Sequence, residues 1–283
     1  MKTKLAKHLK WNTRKNAFLL FLSMVGALLL FGGCKGKGNT LFEKALPEYS
    51  ALFMYKYDGE TCTQYDLYDP SIEQQILDTL SSVSVKEVKN WSPDQLTYPI
   101  YGLHMSQSDG SNLIVAWSNN YMIVDDGSVY SFDYDIEGIL SGHPWNDQKV
   151  MKNTTFFPCS RVLSLKEETW IPTLLKEVTD MNPPEGISIG LVEKDGNLFT
   201  VSLTNNTEEE WCYGTYFSVQ AYLDGYWYDI PTVPGNWAFH DIAMVLAPGT
   251  SVKETYDIGM YGDLPAGLYR LEVEDMVVAF VVE

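Results

Sequence analysis

Short turn dipeptides recur along this chain at close intervals, and they restrict its fold more than any other feature. Asp109-Gly110, Asn119-Asn120 and Asp126-Gly127 separate apolar stretches at 98–105, 113–117, 121–124 and 129–134. Such pairs adopt the positive backbone angles of tight hairpin turns, so the four stretches are predicted to form an antiparallel hairpin series. An opening strand is expected where Leu52, Phe53, Met54, Tyr55 and Tyr57 cluster. Between them, Asp69 and Pro70 supply a helix cap and a first-turn proline. Ile72, Ile76, Leu77 and Leu80 then fall on one face at helical spacing. The spacing predicts an amphipathic helix over 70–82 that covers the apolar face of the sheet. Residues 41–180 are therefore read as an α+β domain, an antiparallel meander with a covering helix.

Residues 143–185 carry a weaker pattern, with a strand expected at 161–165 and a short helix at 167–178 interrupted by Pro172. Met181-Asn182-Pro183-Pro184-Glu185-Gly186 reads as a linker, because paired prolines enforce extended backbone and remove two donors. From residue 187 onward helical periodicity nearly vanishes. Alternating stretches, with Asp224-Gly225 between two of them, make up about seven short strands, the number expected of a β-sandwich over 187–283.

This last region resembles the bacterial Ig-like domains found at the C-terminus of many exported lipoproteins. The resemblance rests on Leu203-Thr204-Asn205-Asn206, on Asp224-Gly225-Tyr226-Trp227-Tyr228 and on the run from Tyr261-Gly262-Asp263-Leu264-Pro265 through Ala266-Gly267-Leu268-Tyr269-Arg270-Leu271, and it covers the last 97 residues. It implies an all-β Ig-like sandwich in which Gly267 and Tyr269 form a tyrosine corner, the phenol closing back on an upstream backbone group. The paired cysteines of antibody domains are missing.

The N-terminus carries a different signal. Lys2, Lys4, Lys7, Lys10, Arg14 and Lys15 make a basic segment with no acidic residue, and a run of about 15 weakly polar to apolar residues follows from Ala17 to Phe31. That length suits an export signal and falls short of the roughly 20 residues that span a bilayer, although an uncleaved membrane anchor is the alternative. The run ends in Leu30-Phe31-Gly32-Gly33-Cys34, which resembles the lipobox of bacterial lipoproteins, with Phe31 departing from the usual aliphatic residue. The resemblance implies that 1–33 is a signal peptide and that Cys34 is diacylated. Residues 34–40 then form a lipidated tether, leaving the ectodomain held at the cell membrane and facing away from the cytoplasm.

Loss of 1–33 removes six basic residues and no acidic one, taking the formal net charge from −17 to −23. No basic stripe is available to displace counterions from phosphates, so nucleic-acid binding is excluded as an expectation. Cys62, Cys159 and Cys212 are too widely spaced for a zinc ribbon or a redox pair and are expected to be buried free thiols, with one bridge as the alternative.

Catalytic motifs are weak, and no cofactor, metal or catalytic residue is expected. Gly186-Ile187-Ser188-Ile189-Gly190 matches the pattern of a hydrolase nucleophile elbow, but a linker precedes it and a strand pattern follows it where the elbow needs a strand and then a helix. His240 and Asp241 complete a triad only on paper. Asp133, Asp135, Glu137 and Gly138 are spaced like the opening of a calcium loop, but Pro144 stands where the closing glutamate belongs. Only His104, His143 and His240 are left for acid–base work in the mature part.

The feature most like a site is aromatic, with Trp211, Tyr213, Tyr216, Tyr226, Trp227, Tyr228, Trp237 and Phe239 all lying within 29 residues. Large rigid rings with one polar atom make good recognition surfaces. Trp211, Tyr226, Trp227, Tyr228 and Trp237 are the candidate recognition residues, Trp237 being carried on a loop at 232–241. The expected function is that of a membrane-anchored, non-enzymatic module that binds an envelope protein, peptide or glycan. The alternative is an envelope hydrolase with its site between the two domains, which requires a cleft holding a titratable group with a perturbed pKa.

Overall fold

Alternation along the first strand decides how it is used. β1 (Tyr49–Tyr57) sends Leu52 and Met54 to one face and Tyr55 and Tyr57 to the other, and all four are buried. A strand buried on both sides needs a cover on both. The computed structural model describes residues 49–66, 70–107, 112–132, 135, 138, 148–234, 239–240 and 242–283.

β1 pairs with β2 (Cys62–Asp66) and with β4 (Ile100–Gln107). The sheet continues from β4 through β5 (Asn112–Ser118), β6 (Tyr121–Val124) and β7 (Val129–Phe132) to β3 (Val85–Glu87), while β8 (Gln148–Met151) extends it beyond β2. The result is an eight-stranded antiparallel sheet in the order β3-β7-β6-β5-β4-β1-β2-β8. One face is covered by helix α1 (Pro70–Ser82), which occupies the span predicted from helical spacing. Its Ile76 and Leu80 pack among Leu52, Met54, Leu103, Met105 and Trp117.

The opposite face is covered by irregular chain. A 3-10 turn at Thr154–Phe156 leads into the short helix α2 (Ser160–Leu163). Phe157, Cys159 and Leu163, joined by Leu174, pack against Tyr55, Tyr57, Ile100, Ala116 and Ile123. Gly102 makes this approach possible, since a Cβ there would lie 2.8 Å from Cγ of Pro158.

Two expectations fail in this covering segment. The strand predicted at 161–165 is mostly α2, and the helix predicted at 167–178 does not form. Instead, β9 (Leu165–Lys166) and β10 (Thr169–Trp170) make a tight hairpin, followed by β11 (Lys176–Glu177). Glu167 and Glu168 adopt φ of 47° and 60° at the turn, and Pro172 withholds the donor that a helix would need. Trp170 and Leu175 are drawn into the core of the following sandwich, a tertiary demand that local spacing does not report.

That sandwich packs two main sheets. β12 (Ile187–Asp195), β13 (Leu198–Asn205) and β18 (Ser251–Asp257) form one. The other runs β11-β16-β15-β19-β20, built from β15 (Ser218–Leu223), β16 (Tyr226–Asp229), β19 (Gly267–Val273) and β20 (Met276–Val282). A small pair, β14 (Trp211–Tyr213) with β17 (Met244–Leu246), lies between their connections. Phe199, Val201 and Leu203 meet Val219, Leu271 and Val273 in the shared core. β11 precedes the proline-rich stretch at 181–186 yet pairs with β16, Lys176 opposite Asp229. The predicted tyrosine corner is present: Tyr269 Oη donates to the Pro265 carbonyl at 2.7 Å. Residues 40–283 form one compact unit.

Candidate recognition surfaces

The hairpin turn at Asp224-Gly225 fixes the register of β15 against β16. With φ of 50° and 98° at these two residues, the turn sets Tyr222 directly opposite Trp227. Both side chains point away from the sandwich core, because Ala221 and Tyr228, the next residues along, point into it. The two rings lie 5.0 Å apart. Arg270 reaches across from β19 and holds its guanidinium 4.3 Å from the Trp227 ring centre. A cation over an indole face is stabilised by the ring quadrupole, more strongly as water is removed.

Arg270 is held in place by a polar network on the same outer face. Its Nε donates to Gln220 Oε1 at 2.5 Å, and Gln220 Nε2 donates to Asp229 Oδ1 at 3.0 Å. Lys176 of β11 pairs with the other Asp229 oxygen at 3.2 Å. Ser218 Oγ donates to Glu272 Oε2 at 2.9 Å. Burial pushes the Glu272 carboxyl up from its ordinary range and pulls the Arg270 guanidinium down. Leu268, Val277 and Val281 stand exposed beside this network on β19 and β20.

Of the five predicted recognition residues, the four that the structure describes do not share one face. Trp227 lies on the outer face. Tyr226 sits at the hairpin tip and is 56% exposed. Tyr228 packs against the core, and Trp211 is half-buried and stacked on Tyr213 at 5.1 Å. Trp237 lies outside the described residues, as does Cys34. Sequence reasoning missed Tyr222 and Arg270. The signal for Tyr222 was available, since a two-residue Asp-Gly turn pairs positions 222 and 227 by register alone.

A second concave region lies on the irregularly covered face of the eight-stranded sheet. Register places Phe53, His104 and Ile114 side by side there, and Lys149 beside Gln64. Residues 155–162 form its roof and residues 232–234 close it, giving a cleft of about 520 Å3. His104 Nε2 bonds Asn112 Oδ1 at 3.2 Å. Asp125, also in the wall, has its carboxyl pushed up by burial and by Asp126, against the opposite effect of His104.

The remaining motifs resolve simply. Ser188 is exposed in mid-strand on β12, opposite Thr204, with no helix after it. His240 is exposed, and its carbonyl accepts from Thr215 Oγ1. Asp133, Glu137, His143 and Asp241 lie outside the described residues. Among the described residues, no group of three or more His, Cys, Asp or Glu side chains is placed to hold a metal ion, and no helix is long and apolar enough to cross a membrane. Cys62 and Cys159 are buried free thiols, but Cys212 is exposed, contrary to expectation. It alternates with Trp211 and Tyr213 on a three-residue strand and takes the outward side.

Residues 189–276 match the family model described as a bacterial Ig-like domain. The C-terminal part of the chain is therefore an Ig-like β-sandwich of the bacterial kind. No curated protein matches the chain.

Proposed function

We propose that this chain is an extracytoplasmic lipoprotein, anchored in the cell membrane by a lipid on Cys34, in which an α+β unit and an Ig-like sandwich act together as a non-enzymatic recognition module. Its partner is an envelope protein, peptide or glycan. The observation that carries this reading is the outer face of β16-β15-β19, where Tyr222, 43% exposed, lies tilted against Trp227 and Arg270 holds its guanidinium over the Trp227 ring. Aromatic and arginine side chains held rigid lose little entropy on binding, so they serve as anchors. The basic, apolar and Gly-Gly-Cys segments of residues 1–34 support the anchoring.

The test is capture of envelope material by the full chain, tagged and solubilised in detergent, beside a Tyr222→Ala, Trp227→Ala variant with an unchanged melting profile. A partner retained by the first and lost by the second supports the reading. Equal capture by both refutes this surface as the site. The hydrolase reading is favoured by one observation, the desolvated Asp125 carboxyl in a cleft beside His104. Turnover of envelope glycans or peptides that Asp125→Asn abolishes would select it.

A further inference from the structure

The cleft on the eight-stranded sheet carries two cations on its walls, Lys149 and Arg161, in a chain that holds 37 acidic residues against 20 Lys and Arg. Lys149 and Arg161 form no ion pair among the described residues, where the pairs present are Lys166 with Asp94 and Lys176 with Asp229.

Arg161 is also fixed and largely dehydrated. Its Nη2 donates to the Asp263 carbonyl at 2.7 Å and its Nη1 to the Pro231 carbonyl at 3.4 Å, while its guanidinium carbon stands 5.1 Å from the Trp170 ring centre. Both acceptors are neutral carbonyls, and the nearby Asp263 carboxylate offsets the buried charge only in part. Burial lowers its pKa, the expected effect of a charge taken from water without a full counter-charge. A guanidinium has five N–H donors, and two carbonyls leave donors free for a further acceptor. Asp125 is not that acceptor, because the neighbouring side-chain charges that act on it are those of Asp126 and His104.

The apolar side of the cleft is shaped for a ring. Phe53 stands beside His104, their rings 6.3 Å apart on the sheet, and Phe156 projects from the roof 66% exposed. A phenylalanine held out by a 3-10 turn gives up apolar burial that a bound ring or sugar face would restore. The volume of about 520 Å3 lies within the roughly 300–1,000 Å3 typical of small-molecule sites.

We infer that this cleft is a binding site for a small carboxylate-bearing ligand, one with an apolar or sugar-ring face, its carboxylate received by Arg161 and Lys149 and its ring by Phe53 and Phe156. The site is separate from the Tyr222–Trp227 face. Two sources supply such a group, the free C-terminus of a short peptide and a sugar acid.

Calorimetric titration of the full chain in detergent tests it, with acetyl-alanyl-phenylalanine and a galacturonic acid dimer as probes and their methyl esters as neutral controls. Binding of at least one acid is expected, weakened tenfold or more by esterification, and the acid that binds identifies the source. Lys149→Gln and Phe156→Ala, both at exposed positions that leave the core intact, should each weaken it severalfold at unchanged melting temperature. Tyr222→Ala with Trp227→Ala should leave it unaltered, so failure here is distinct from failure of the recognition face. No heat from either acid at millimolar concentration, esters that bind as well as acids, or indifference to both cleft variants would each overturn the inference.

Discussion

The indole of Trp170 donates its Nε1 hydrogen to the phenol oxygen of Tyr269 at 3.0 Å, and the same phenol donates onward to the Pro265 carbonyl at 2.7 Å. The corner of the Ig-like sandwich is thus completed by a residue outside the matched region, from a hairpin that begins just after α2. Tyr269 is 1% exposed, so its hydroxyl has no water to fall back on. Tyr269→Phe removes both hydrogen bonds, leaving the Trp170 donor and the Pro265 carbonyl without this partner, and the expected loss is about 2–3 kcal/mol in urea unfolding. Trp170→Phe should cost the corner less polar pairing but more packing. A Tyr269→Phe variant as stable as the parent would show that the bonds contribute nothing net.

Thiol reactivity should separate Cys62, Cys159 and Cys212 cleanly. Burial pushes the Cys62 thiol up to about 12, and that of Cys159 rises for the same reason. Cys159 also donates to the Ile123 carbonyl, Sγ to O at 3.4 Å. Cys212 is exposed. At pH 8 a disulfide reagent should therefore modify Cys212 at once, and Cys62 and Cys159 only after denaturant is added. Fast modification of two or three sites in the native protein would contradict the packing of Phe157 and Cys159 onto the sheet.

Sequence pattern revealed the elements that had a punctuated, self-consistent signal. α1 was legible because Asp69-Pro70 marks its start and Ile76 and Leu80 repeat at helical spacing. β4 through β7 were legible from their turns, and β15–β16 from Asp224-Gly225. The polar strands at the β2–β8 end of the sheet escaped notice. β2 reads Cys-Thr-Gln-Tyr-Asp and β8 reads Gln-Lys-Val-Met, and neither shows a regular alternation of apolar and polar residues; β8 is the edge, with β2 between it and β1. The region at 160–177 was misread because Trp170 and Leu175 take their conformation from the sandwich core and not from their neighbours. The outer aromatic face was legible in Trp227 alone. Arg270 comes from a strand 43 residues away in sequence, and only the sheet order β16-β15-β19 brings it over the indole.

Helix α1 is the sole regular cover on its face of the large sheet among the described residues, and Leu80 is 3% exposed within that contact. Truncation by Leu80→Ala should cost about 3 kcal/mol, the transfer of the lost methyl groups plus a residual cavity. Val150→Ala, at a position 65% exposed on an edge strand, should change stability by less than about 0.5 kcal/mol. Chemical denaturation of the two variants checks the contrast. Equal losses would mean that α1 does not bury the sheet as described.

Glu272 should make the protein respond to pH in the direction opposite to that of a salt-bridged carboxylate. Burial raises its pKa, and the Ser218 hydroxyl and the Asp275 amide, which donates at 2.7 Å, offset the rise only in part. A carboxyl whose folded pKa exceeds its unfolded one holds its proton longer in the folded state. Stability from this group is therefore full below the unfolded value, about 4.3 for glutamate, and is lost as pH climbs through the raised folded value. At neutral pH the whole cost is present. Glu272→Gln keeps an acceptor for the Asp275 amide, turns its NH2 toward the Ser218 hydroxyl, which can accept from it, and has no charge to desolvate. It should melt above the parent at pH 7, and the gap should narrow as pH falls below 4. Thermal unfolding of both proteins across that range decides it. A gap that stays constant or widens in acid would show that Glu272 is stabilised as a carboxylate, most directly by Arg270, and that the polar network tightens on ionisation.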